Sequence, residues 1–190
     1  MLQRHFYTAG FAVHIALAAM DDCVALMYEK HPLLAFSPLT HLQATALLTV
    51  GDEIQELIAA AVTGPATVDA TTLNQAYARL WLWVLGAYEV LRTMSQARGC
   101  FTEELAALVT SEKRYLSRLR MPLSKQEFAG SSAPSGLAGL LSGIDTIAKD
   151  VSFTVGDEVF SAKAVTARFA SLVTAIKLSD IKARHSDSYR

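Results

Sequence analysis

The sequence has few cysteines and lacks the short motifs that mark common metal, nucleotide and hydrolase sites. Its 190 residues include two cysteines, Cys23 and Cys100, which cannot build a disulfide framework and are not spaced as metal ligands. We expect each to be a small core residue in a reducing compartment. There is no Walker loop, dinucleotide-binding glycine pattern, Gly-x-Ser-x-Gly elbow, His-x-x-x-His pair or Cys-x-x-Cys pair.

The Glu-x-x-His pattern of di-iron helical bundles is also missing. At the required offset, Glu53 is followed by Glu56 and Glu112 by Tyr115. The sequence therefore predicts no metal and no cofactor.

Long apolar runs and a strong net charge are absent too. The chain is 52% hydrophobic with a formal net charge of −1, so its overall field favours neither nucleic acid nor membrane. No apolar run approaches the roughly 18–20 residues that span a bilayer. Residues 1–23 resemble a secretory signal, but His14 interrupts the apolar run and the helical periodicity continues past any cleavage point. We expect a cytoplasmic protein without a membrane partner.

The spacing of apolar residues predicts an all-α fold, an antiparallel bundle of four long helices plus a C-terminal helix. Ser37, Asp69 or Thr71, and Ser161 are the expected N-caps of three helices. The predicted helices run over residues 3–30, from Pro38 to the Gly64-Pro65 pair, over 70–98, from Thr102 to Pro122, and from Ser161 onward.

The chain is expected to form one domain with two regions. Residues 1–128 form the four-helix core, and residues 129–190 contribute a loop, a small hairpin and the C-terminal helix packed on the same domain. The hairpin is predicted near 151–160, turning at Gly156-Asp157. A weak helical pattern precedes it over residues 137–149.

Apolar stripes follow the predicted helices. In the first helix apolar residues alternate in steps of four and three, a bundle or coiled-coil seam. The second helix is expected to bury Leu39, Leu42 and Val50, among others. The third, with "LWLWVLGAYEVL" at its middle, is apolar almost all round and is expected to be central. Because the first and third helices carry more apolar surface than one neighbour each can cover, we predict a homodimer.

Two polar clusters are weaker candidates for a site. Tyr7, His14, Asp21 and Tyr28 recur every seven residues and are interpreted as a polar ridge beside the seam. The acidic cluster at 52–56 is interpreted as a solvated helix face.

A basic stretch at the end of the fourth helix is the strongest candidate. Arg114 and Arg118 are four residues apart and share one helix face, and Arg120 and Lys125 continue the run. Cations complement the negative end of a helix, but these exceed what capping needs, and arginine binds phosphate through two hydrogen bonds. Arg114, Arg118, Arg120 and Lys125 are therefore the predicted ligand-binding residues. A helix-stabilising, solvated face is the alternative interpretation.

The order of the helices resembles that of the HEPN domains, compact helical bundles with an Arg-x(4–6)-His motif where a core helix ends. In that family the motif, paired across a homodimer, often forms a metal-independent ribonuclease site. Here Arg120 stands at the matching place, but five residues on the chain has Lys125 instead of histidine. A lysine titrates about three to four units above neutrality, too high for a general base unless it is desolvated. The resemblance therefore implies a degenerate, non-catalytic member.

These observations favour a non-enzymatic cytoplasmic interaction or regulatory protein that binds an anionic ligand, a nucleic acid or a nucleotide, through the basic end of its fourth helix. The alternatives are a HEPN-type metal-independent ribonuclease and a small-ligand-binding bundle. The latter would use a pocket beside Trp81, Trp83 and Gly86.

Overall fold

The structure is a computed structural model and describes residues 22–65, 67–128, 130, 134–136 and 139–189. The described part is mostly helical, with two small antiparallel sheets. The prediction of a helical fold is therefore confirmed, while a purely all-α fold is not. The helices are α1 (22–30), α2 (Leu33–Phe36), α3 (Pro38–Ala61), α4 (Ala70–Gln96), α5 (Glu103–Lys125) and α6 (Ala162–Ala175). The strands are β1 (Val62–Gly64), β2 (Thr67–Val68), β3 (Leu141–Asp145), β4 (Asp150–Val155) and β5 (Glu158–Ser161).

Helix α3 begins where the sequence indicates and ends earlier. The hydroxyl of Ser37 accepts a hydrogen bond from the backbone N–H of Thr40 over 3.2 Å, and Pro38 occupies the first helical position. The helix ends at Ala61, before the predicted Gly64-Pro65 pair, because the following residues form β1 and pair with β2.

Helix α4 is the central helix, as predicted. Its N-cap is Asp69, whose carboxylate accepts from the N–H of Thr71 over 3.0 Å and from the hydroxyl of Thr72 over 2.6 Å. It packs against α3 on one side and α5 on the other. Three long helices, α3, α4 and α5, are thus described, and a bundle of four long helices is not established.

Helix α5 begins after Thr102, whose hydroxyl accepts from the N–H of Leu105 over 3.3 Å. The prediction that Pro122 ends the helix is wrong. Proline lacks the N–H donor, and its ring crowds the carbonyl group one turn earlier, yet α5 continues to Lys125. It stops at Gln126, which adopts the left-handed conformation (φ 56°) and donates its N–H to the carbonyl oxygen of Pro122 over 3.1 Å.

The predicted hairpin is confirmed, with Gly156-Asp157 as a two-residue turn between paired Val155 and Glu158. The helix predicted from the weak pattern over 137–149 is wrong, because β3 occupies part of this range. This strand makes the sheet three-stranded, in the order β3-β4-β5. At Gly143 a Cβ atom would lie 2.7 Å from the hydroxyl of Ser152, so a larger residue there would displace the Ser152 side chain.

Helix α6 and the segment after it close the core. The hydroxyl of Ser161 caps α6 by accepting from the N–H of Ala164 over 3.0 Å, and one face of α6 is buried as predicted. The C-terminal segment, residues 177–187, then returns to the start of α5, where Lys182 donates its N–H to the carbonyl oxygen of Cys100 over 2.8 Å. Buried residues of α3 to α6, β4 and β5 form one continuous core.

Several predictions for the first helix lie outside the described residues. These include its stretch up to residue 21 and three members of the polar ridge, Tyr7, His14 and Asp21. Within the described part of the seam, Val24 and Met27 are exposed. No helix in the described ranges is long and apolar enough to cross a membrane.

The predicted apolar stripe of α3 is partly wrong. Leu39 and Leu42, both expected in the core, are 62% and 65% exposed, while Thr40 and Ala44 are buried. The buried face of this helix is therefore turned by about one residue at its N-terminal end, and two leucines stay uncovered on the outside.

A candidate anion-binding groove

Arg118, in the predicted basic stretch, is held by groups of the protein itself. Its guanidinium forms an ion pair with Glu158 of β5. It also lies over the rings of Tyr115 and Phe160, with its Cζ atom 5.4 Å and 5.6 Å from their centroids. These contacts join α5 to the hairpin, so Arg118 has a structural role.

Two arginines contact the ring of Tyr115. Besides Arg118, Arg168 on α6 has its Cζ atom 4.2 Å from the ring centroid. Arg168 in turn binds the carboxylate of Glu112 with two hydrogen bonds, one of 2.9 Å from Nε. Burial raises the pKa of the Tyr115 hydroxyl, an effect that the neighbouring arginines oppose. The cluster fastens α5 to α6 and leaves no guanidinium free for a ligand.

Arg120 points to the other side of α5, towards α4. Its Cζ atom lies 4.7 Å from the centroid of the Tyr88 ring, and its Nη2 lies 3.9 Å from a carboxylate oxygen of Glu89. Lys125, the last residue of α5, is exposed. The four predicted ligand-binding residues therefore do not form one shared surface.

Arg114 lies elsewhere again, in a groove of about 570 Å³ beside the N-terminal half of α5. Two further cations line this groove, Arg98 from the 3₁₀ turn between α4 and α5 and Lys182 from the C-terminal segment. We call it the basic groove, defined by these three residues. Three separate elements thus bring positive charge to one place.

The groove lining combines apolar and polar groups. Phe101, Ala106 and Ala107 supply its apolar part. Thr110 also lines the groove, and its hydroxyl donates to the carbonyl oxygen of Ala106 over 2.8 Å, which leaves its lone pairs to accept from a ligand. Glu103 is the carboxylate that lines the groove.

The groove cations differ from the other arginines of α5 and α6 in their pairing. Arg118, Arg120 and Arg168 each have a carboxylate partner. Within the described ranges, Arg98, Arg114 and Lys182 form no ion pair. All three are exposed, so the groove presents more positive charge than its one carboxylate, Glu103, can balance.

Of these three cations, Arg114 alone is a ligand-binding residue predicted from the sequence. Arg98 and Lys182 are 84 positions apart, and neither belongs to a charge run. The bridge between Phe101 and Ile181, which brings the C-terminal segment to the groove, is a tertiary contact. No pattern of local spacing could have indicated it.

A second cavity, of about 360 Å³, lies between α3 and α6. Trp83 lines it and is 2% exposed, whereas Trp81 is 41% exposed on the outside of α4. Gly86 does not line this cavity but lets α4 approach α3, since a Cβ atom there would lie 3.2 Å from Leu47. The predicted pocket beside Trp81, Trp83 and Gly86 is therefore replaced by a cavity that shares only Trp83 with it.

Metal-binding chemistry has no candidate in the described ranges, where no group of three His, Cys, Asp or Glu side chains could hold an ion. His31 and His41 come near each other, with ring centroids 5.1 Å apart. The acidic residues Asp52, Glu53 and Glu56 are exposed on α3.

No family model, curated protein or solved structure matches this chain.

Proposed function

We propose that this is a non-enzymatic, cytoplasmic interaction protein that binds the phosphate groups of a nucleotide or nucleic acid in the basic groove. The observation that supports this most is that the groove cations lack carboxylate partners. Arg98, Arg114 and Lys182 line one groove without an ion-pair partner among the described residues, while the arginines at the end of α5 have partners.

The chemistry of the groove suits a phosphate better than a carboxylate. Two guanidinium groups can each donate two parallel hydrogen bonds to phosphate oxygens, and an ammonium group adds a point charge. Three cations around one carboxylate, Glu103, leave a surplus of positive charge. That carboxylate and the Thr110 hydroxyl can accept hydrogen bonds from sugar hydroxyls, which gives a nucleotide contacts that inorganic phosphate lacks.

The proposed site shares only Arg114 with the four ligand-binding residues predicted from the sequence. Arg118 and Arg120 would have to leave Glu158 and Glu89 before they could bind a ligand. Lys125 is exposed and stays a predicted contact. The HEPN resemblance, with Arg120 and Lys125 at the motif positions, and the ribonuclease alternative stay predictions. Cleavage of RNA in EDTA that Lys125→Ala abolishes would establish that alternative.

We also propose that the protein acts as a homodimer. Leu39 and Leu42 on α3 and Leu82 on α4 are more than half exposed. Burying such side chains contributes a gross gain of about 25 cal/mol for each Å² removed from water, from which the entropy cost of association is subtracted. Sedimentation equilibrium should show a dimer of the 20.6 kDa chain, and Leu39→Gln with Leu42→Gln should shift it to monomer. A wild-type chain that stays monomeric contradicts this part of the proposal.

Binding of tripolyphosphate, ATP and a single-stranded RNA, each measured by isothermal titration calorimetry at several salt concentrations, tests the proposal. If three groove cations contact phosphates, RNA affinity should fall with a log–log salt slope of about −2. Lys182→Gln should weaken binding, and Lys30→Gln, which changes an exposed lysine outside the groove, should not. A preference for ATP or for RNA over tripolyphosphate identifies the source of the phosphate. Absence of binding by all three at low salt contradicts the proposal.

A further inference from the structure

We propose that the cavity between α3 and α6 is a second binding site, for a small zwitterion with an apolar side chain, such as a free apolar amino acid. Its volume of about 360 Å³ falls in the range of small-molecule pockets. None of its lining residues also lines the basic groove. The site is therefore independent of the proposed anion binding.

The inner part of the cavity is apolar. The indole of Trp83 and the ring of Phe169 meet edge to face there, with centroids 5.5 Å apart at 82°. The indole N–H is already used, because it donates to the backbone carbonyl oxygen of Leu47 over 2.7 Å. The aromatic pair consequently offers apolar surface and no free donor, which suits a hydrocarbon or aromatic side chain.

The rim of the cavity carries two opposite charges on different helices. Asp52 comes from α3 and Lys163 from the first turn of α6. Neither forms an ion pair with any residue in the described ranges. A ligand with an ammonium group and a carboxylate can satisfy both at once. A simple anion would meet the like charge of Asp52, and a simple cation that of Lys163.

Gly51 gives the second indication of a ligand. It lies in the middle of α3, is buried, and lines the cavity. A Cβ atom there would lie 3.5 Å from Nε1 of Trp83 and 3.7 Å from Cβ of Thr166, both ordinary contact distances. Alanine would therefore fit, and it is the better helix former. Helix propensity does not explain glycine here, and its missing side chain leaves free the space beside Trp83 and Thr166 that a Cβ atom would take.

The wall beside Gly51 is held in place by hydrogen bonds. The amide of Gln55 donates to the hydroxyl of Thr166 over 3.3 Å, and that hydroxyl donates to the carbonyl oxygen of Ala162 over 3.2 Å. This chain fixes α3 against α6 at the cavity, so the site exists before the ligand arrives.

Calorimetric titration of the full chain with L-phenylalanine tests the proposal. The controls are 3-phenylpropionate, which lacks the amine, and phenethylamine, which lacks the carboxylate. We expect L-phenylalanine to bind and each analogue to bind at least about tenfold more weakly, since each loses one charge-assisted contact. Asp52→Asn should remove the advantage over 3-phenylpropionate, and Glu53→Gln, next in sequence but outside the cavity, should bind like wild type.

Gly51→Ala separates a ligand site from a packing role. It should melt higher than wild type by about 2–4 °C because of the better helix propensity, yet lose most of its affinity for L-phenylalanine. Unchanged affinity in Gly51→Ala overturns the proposal. So does the absence of binding of both L-phenylalanine and L-leucine at millimolar concentration, or binding of either singly charged analogue as tightly as L-phenylalanine.

Discussion

The indole N–H of Trp83 donates a hydrogen bond of 2.7 Å to the backbone carbonyl oxygen of Leu47. This contact joins the central helix α4 to α3 at Leu47, the residue that a Cβ atom at Gly86 would also meet, at 3.2 Å. It also sets the orientation of the indole in the cavity between α3 and α6.

We predict that Trp83→Phe lowers the free energy of unfolding by about 2–3 kcal/mol, because it removes a buried donor and leaves a cavity. Urea denaturation followed by circular dichroism measures the change. Trp81→Phe is the matched control two residues away, and since Trp81 is 41% exposed its effect should stay within about 0.5 kcal/mol. Equal decreases of the unfolding free energy in the two variants would show that the hydrogen bond and the burial of Trp83 add nothing to stability.

The arginines of α5 should differ in their effect on stability. Arg120→Gln removes the contacts with Tyr88 and Glu89 and should lower the unfolding free energy by about 0.5–1 kcal/mol, a value reduced for solvent exposure. Arg114→Gln removes no ion pair within the described ranges and should leave it unchanged. Thermal melts of the two variants measure the difference. A larger loss in Arg114→Gln would contradict the structural assignment of Arg120 and the free state of Arg114.

The free energy of unfolding should decrease when the solution is made mildly acidic, because of the protonation of His41. Burial first, and the nearby charge of His31 second, lower the pKa of His41 below its ordinary 6.5 in the folded state. The unfolded chain therefore binds a proton between pH 6.5 and the lowered pKa, where the folded chain does not. The unfolding free energy should be highest above this window and decrease as the pH falls through it.

Urea denaturation at pH values down to about 5, where most carboxylates are still ionised, tests the effect of His41. His41→Gln should flatten the decrease. Glu29→Gln, near the same turn but without a resolved contact to His41, is a suitable control. An equally steep decrease in His41→Gln would assign the pH dependence to other groups.

Local chemistry made much of the helical framework predictable. Ser37, Asp69, Thr102 and Ser161 each begin a helix as expected, because a short side-chain oxygen before an apolar run satisfies free N–H groups of the first turn. The Gly156-Asp157 turn was predictable for a similar reason, since the left-handed conformation at Gly156 (φ 61°) suits glycine.

The failures come from tertiary contacts. Pro122 is tolerated inside α5 because it is buried near the helix end, where one lost hydrogen bond matters less than packing. Residues 141–145 form a strand because β4 lies beside them, although their own sequence has little β pattern. In the basic groove, the spacing of charged residues predicted Arg114 but not Lys182. Lys182 reaches the groove because the C-terminal segment folds back against the start of α5.

Binding of ATP to two double variants tests the central claim most directly. The first variant, Arg98→Gln with Arg114→Gln, removes two cations of the basic groove, and the second, Arg118→Gln with Arg120→Gln, removes the two arginines that have carboxylate partners. Calorimetric titration at low salt should show wild-type affinity in the second variant and a loss of about a hundredfold or more in the first, since each lost charge-assisted contact weakens binding about tenfold. The reverse result, or a wild-type chain that does not bind ATP at low salt, would contradict the assignment of nucleotide binding to the groove.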